Sequence, residues 1–204
     1  MLRSILRLCA LTLVAFAPAA AIAEEAWDGG LFKSPDFAPG DTGRPLGHWN
    51  TGQHAQGQAK GHSYDFSSND GVLTIRRVGA EPWGMVAQDF KVDEYIGKRL
   101  RFSMEVSGEL DESFGQAIEP SGLLVRVTGF GPHDPPMMGA RILVAERSNP
   151  GLGVGSHDWQ ELILEFEIPV SRLVELRAGV QLTLGGVLHV RRPRLEVIEA
   201  DPAP

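Results

Sequence analysis

The chain is predicted to fold as an antiparallel β-sandwich. Apolar residues recur at period two in short runs, and Gly, Pro, Asn or Asp separate the runs. No long helical pattern lies between them. About eight or nine strands without intervening helices exclude a parallel α/β sheet and leave a sandwich or barrel. The 24 glycines fall mainly between the runs, as turn chemistry requires.

The elements follow in order. Asn69-Asp70-Gly71 is a hairpin-turn signal, and it opens a strand in which Val72, Thr74 and Arg76 alternate with Leu73 and Ile75. Met85 to Phe90 is the next strand. Leu100, Phe102, Met104 and Val106 then alternate with Arg99, Arg101, Ser103 and Glu105, one face for the core and one for water. Leu123 to Phe130 sets Leu123, Val125 and Val127 against Leu124, Arg126 and Thr128. Ile142 to Ala145 is a shorter run. Leu162, Leu164, Phe166 and Ile168 alternate with Glu161, Glu165 and Glu167, whose carboxylates make a solvated face. Val174 to Leu184 is long for one straight strand, and Gly179 is expected to mark a bend or bulge there. Val187 to Val190 and Leu195 to Ile198 close the domain, with Gly185-Gly186 as a hairpin turn. Pro45 to Ser63, rich in Gly, Gln and His, is expected to be a loop or irregular edge.

The N-terminus has a different character. Arg3 and Arg7 precede an apolar run from Leu8 to Ala17, Pro18 breaks it, and Ala21-Ile22-Ala23 ends it. That order predicts a signal peptide, residues 1–23, cleaved after Ala23. The run is about half the roughly 20 residues of a spanning helix, so an integral membrane protein is not expected. Cys9, the single cysteine, opens the apolar run rather than closing it, which does not suit lipidation. The processed chain then has no disulfide, thiolate site or cysteine nucleophile. It is expected to be periplasmic or secreted, with one domain over 24–200 and a disordered tail over 201–204. Loss of Arg3 and Arg7 takes the formal charge from −7 to −9, which argues against nucleic acid and anionic membranes as partners.

Several segments, in this order, resemble one family. They are Gly71-Val72-Leu73-Thr74-Ile75, Trp83 with Gln88, and Tyr95-Ile96-Gly97-Lys98 running to Phe102-Ser103. Leu124-Val125-Arg126-Val127, His157-Asp158-Trp159 up to Ile168-Pro169, and Leu184 to Glu196 follow. Together they resemble galactose-binding-like jelly rolls, in particular carbohydrate-binding modules of the family 4/9 type. The resemblance runs from Phe32 to Val197. It departs at Leu188, Arg191 and Arg192, where the family commonly has Trp and Asp, and at Pro135-Pro136-Met137-Met138.

The resemblance implies an exported, non-enzymatic module that binds a carbohydrate or envelope glycan on one concave face. Sugar rings lie on aromatic planes, and their hydroxyls take hydrogen bonds from Arg, Gln and carboxylates. Trp83, beside Pro82 and Gly84, is a candidate platform. Arg126, among apolar neighbours, needs either a buried partner or a groove. Gln88 would lie near it. Arg147 is a further candidate, and Trp49 is either a second platform or a plug on the sandwich edge. Trp159 matches a structural tryptophan and is expected in the core. The resemblance also implies a structural calcium with Asp36 and Glu196 as candidate ligands, two of the roughly six to eight oxygens that calcium takes. No other cofactor is expected. His48, His54 and His62 match no zinc spacing. No G-x-S-x-G, H-E-x-x-H or P-loop occurs, so an enzyme is not expected. The competing reading is a structural or protein-interaction sandwich without a small ligand, its contact made by strand edges or Met137-Met138.

Overall fold

The computed structural model describes residues 28–39, 43–55, 61–115, 117, 119–131, 133–135 and 139–198. The expected signal peptide, the tail and the Met137-Met138 pair lie outside the described residues.

Ten strands, numbered in chain order, form two five-stranded sheets among the described residues. The first sheet contains β1 (Asn50–Gln53), β4 (Gly84–Lys91), β9 (Arg172–Leu182), β6 (Gly122–Phe130) and β7 (Arg141–Arg147), side by side in that order. The second contains β2 (Tyr64–Asn69), β3 (Val72–Arg77), β10 (Gly185–Ile198), β5 (Arg99–Asp111) and β8 (Gly155–Glu167). Every pairing is antiparallel. Without the edge strands β1 and β2, the orders β3-β10-β5-β8 and β4-β9-β6-β7 are those of a jelly roll.

Period-two patterning fixes which side of each strand is buried. Val174, Leu176, Ala178, Val180 and Leu182 of β9 and Leu123, Val125 and Val127 of β6 turn inward. They meet Phe102, Met104 and Val106 of β5 and Leu188 and Val190 of β10 in one core. Before β1, the chain folds over one side of this core. Trp49 stacks at 4.8 Å on both Phe32 and Phe37, and Phe32 contacts Phe102 at 5.5 Å. The Asp70-Gly71 turn has positive φ at both residues (48° and 74°), as a tight hairpin between β2 and β3 requires.

Within Pro45–Ser63, expected as a loop or irregular edge, Asn50–Gln53 is the edge strand β1, whose polar residues gave no alternation to read. The strands differ from the expectation in two places. The expected closing hairpin is one strand, β10, interrupted by a bulge between Arg191 and Arg194 where Arg192 has φ 51° and Pro193 follows. Gly185 and Gly186 are paired with Asp111 and Leu110 inside that strand. No bulge falls at Gly179, where the register of β9 to β4 is unbroken. A Cβ at Gly179 would collide with Val86 O and sit 2.5 Å from Ala87 Cβ, so the glycine permits close approach of β4 and β9.

Candidate functional site

The outer face of the first sheet carries a hollow of about 360 Å³. Register places its lining. Leu124, Val125 and Ala145 line it from β6 and β7, beside Arg177 and Gln181 of β9. Larger side chains rise around it: Met85, Arg126, Arg147, Arg177, Gln181 and Trp83. A second hollow of about 480 Å³ adjoins it, lined by Arg77, Pro82, Phe114, Glu119 and Thr183. His54, Trp83, Arg147 and Gln181 border both.

Trp83 is half-buried, and the loop that carries it is held by several polar bonds. Trp83 O accepts from the His54 N–H at 3.1 Å. Glu81 Oε2 accepts from the Ala55 N–H at 2.9 Å and lies 3.2 Å from His54 Nδ1. The buried Tyr64 hydroxyl donates to Glu81 O at 3.0 Å, and burial pushes that phenol's pKa up to about 12. Arg77 is buried and donates to Gly79 O, Ala80 O and Thr183 O. A Cβ on Gly84 would strike the Tyr64 ring, so glycine lets that ring lie beneath the start of β4. The indole and the His54 ring meet near-perpendicular, with centroids 5.9 Å apart and planes at 86°. Trp83 therefore stands on a fixed rim and requires little ordering on contact.

The three groove arginines differ. Arg177 forms a two-point bond with Asp89, Nε to Oδ1 at 2.6 Å and Nη2 to Oδ2 at 3.1 Å, which holds its guanidinium above the usual range. Arg147 donates to Gln181 Oε1 at 2.7 Å and pairs with Glu119 at 2.7 Å. Arg126 is exposed, and among the described residues it has no hydrogen bond, ion pair or ring contact. Of its two sequence readings, the groove is where it stands.

Trp83, Arg126 and Arg147 are thus brought together. Gln88 and Trp49 are not: the expectation for Gln88 is corrected, and of the two readings of Trp49 the platform gives way to the plug. Gln88 is buried, accepts from the Lys33 N–H at 3.1 Å and donates to Lys33 O at 2.5 Å. Its inward phase on β4 makes it a tether for the N-terminal segment. Trp49 is 3% exposed and donates through Nε1 to Ser34 O at 2.8 Å, so it is the plug rather than a platform. Trp159 is corrected in the opposite direction. It is 39% exposed, on the phase of Glu161 and Glu165, with the Arg191 guanidinium 4.1 Å from its ring centre.

The expected calcium ligands have other partners. Asp36 accepts from the Ala38 N–H at 3.2 Å, and Glu196 lies 3.0 Å from Arg194 Nε. Among the described residues no three His, Cys, Asp or Glu side chains converge as a metal site.

Arg177, Gln181 and Met85 went unremarked in the sequence. The outward phase of β9, Glu175-x-Arg177-x-Gly179-x-Gln181, was open to reading once Val174 to Leu182 had been set inward. What the sequence withheld was that β9 lies between β4 and β6.

No protein-family model matches the chain, and no curated protein sequence matches it. Among solved structures it is similar to a carbohydrate-binding module of family 4, at 15% identity and TM-score 0.48, covering 74% of this chain and 86% of that one. It is also similar to the family 22 carbohydrate-binding module of Clostridium thermocellum Xyn10B, at 12% identity and TM-score 0.42, covering 74% and 86%. A cyclase from Fischerella sp. TAU matches at 12% identity and TM-score 0.40, covering 76% and 86%. No helix among the described residues is long and apolar enough to cross a membrane.

Proposed function

We propose that the chain is an exported, non-enzymatic binding module that recognises a glycan in the groove of the first sheet. The observation that carries this reading is the meeting of a half-exposed indole on a fixed rim with guanidinium and amide groups around one hollow. An indole plane takes the C–H face of a sugar ring, and the polar groups beside it take hydroxyls. The neighbouring carboxylates favour binding over acid–base chemistry. Glu81, Asp89 and Glu119 each lie against a histidine or arginine that occupies them, which leaves Glu146 as a single carboxylate at the hollow, without the second one that paired acid–base work needs, among the described residues. The N-terminal order of charge, apolar run and Ala21-Ile22-Ala23 supports export to the periplasm or beyond, with 24–200 as the working domain.

The test is retention of the purified protein by immobilised polysaccharides, neutral and acidic, in affinity electrophoresis. Wild type is expected to be retarded. The Trp83→Ala/Arg126→Ala double variant is expected to lose most of that retardation while keeping its β-sheet circular dichroism. Equal migration of the two proteins would remove this groove as the site.

A further inference from the structure

Arg126 has a feature that structural need does not explain. Its register partner on β9 is Arg177, so two guanidiniums stand directly opposite on adjacent strands. Such pairs have Cβ atoms about 5 Å apart, and like charges there are destabilising. Arg177 is relieved by the two-point bond to Asp89. Arg147 reaches the same hollow and is relieved by Glu119. Arg126 has no relief among the described residues. Glu146 also borders the hollow, yet its register partner is Val125, which faces the core, so the alternation of β7 sets it off the Arg126 phase. The fold thus keeps one uncompensated cation on the groove face of a chain whose formal charge is −7. A neutral sugar hydroxyl would leave that charge as it is. An oxyanion would complete it with charge-assisted, two-point hydrogen bonds.

We propose that the occupant of the groove is an acidic glycan, held through a carboxylate or sulfate on Arg126. This rests on the glycan reading above and narrows it. Selection must act locally, because the negative chain as a whole repels polyanions and screening confines attraction to about 8 Å at physiological salt.

The experiment uses matched pairs: pectate and alginate beside their carboxyl-reduced forms, and a sulfated galactan beside its desulfated form. Each is titrated against the full protein by calorimetry at low and moderate salt. At least one acidic form is expected to bind on the order of tenfold more tightly than its neutral counterpart. The advantage should shrink with added salt, vanish in Arg126→Gln and survive in part in Arg126→Lys. Arg76→Gln, an equal charge change on the other sheet, should leave it intact. The pair that responds tells carboxylate from sulfate. Equal binding of acidic and neutral forms would overturn the proposal and leave the glycan reading standing. An equal loss in Arg76→Gln would overturn it too, as an effect of bulk charge. Failure of every polymer, neutral or acidic, would overturn both.

Discussion

A glutamine and an arginine on strands of one sheet, with β9 between them, divide tethering from the proposed recognition. Gln88 and Arg126 both belong to the first sheet, but one is on the inward phase and the other on the outward. Gln88 satisfies both main-chain polar groups of Lys33. Gln88→Ala would leave an N–H and a C=O without partners and is expected to cost about 1–3 kcal/mol of stability by urea denaturation. Glycan retention by the folded variant should equal wild type, and a loss of retention at unchanged stability would return Gln88 to the site. Residue type alone did not separate the two, since Gln and Arg both read as sugar-binding groups. Phase did, for Arg126. For Trp159 the phase shared with Glu161 and Glu165 already pointed outward, and the resemblance to a core tryptophan obscured it.

Strand alternation made most elements legible, because one buried face repeats every second residue. The edges were least legible. β1 is four residues, Asn50–Gln53, with one buried position, and it presents no repeat. β10 reads as two strands, Val187 to Val190 and Leu195 to Ile198, because the bulge at Arg192-Pro193 breaks the alternation. Pairing order was not legible at all, and pairing is what places Arg126 opposite Arg177. Between strands of the second sheet, register also aligns charges. Glu165 of β8 receives Arg99 and Arg101 of β5, and the hydrogen bond from Arg101 holds its carboxyl below the usual range. Burial pushes Glu105 up, but hydrogen bonds from Arg191 and Arg192 of β10 outweigh it and the net shift is downward. A folded pKa below the unfolded value contributes stability above the unfolded pKa and loses it as pH falls through the folded one. Urea midpoints should therefore hold near pH 6 and drop below about pH 4.5, the ordinary glutamate range. A Glu105→Gln/Glu165→Gln variant should show a shallower drop, and parallel curves for the two proteins would refute these pairs as its source.

For the whole molecule, the described sandwich begins at Asp28, and the expected cleavage point after Ala23 precedes it. Intact mass of the protein recovered from the cell envelope or medium should match a chain starting at Glu24, and a mass retaining residues 1–23 would count against export by cleavage. Residues 28–198 contain no cysteine, so no disulfide joins the two sheets, and apolar side chains from both meet in one core. The indole between the two hollows has a geometric consequence for any partner. A chain long enough to reach from Arg126 to Phe114 would cross the border that Trp83 shares with His54, Arg147 and Gln181. Under the glycan reading proposed above, the two adjoining basins then form one path, and the pitch of a polymer's backbone becomes as much a criterion for entry as the groups it displays.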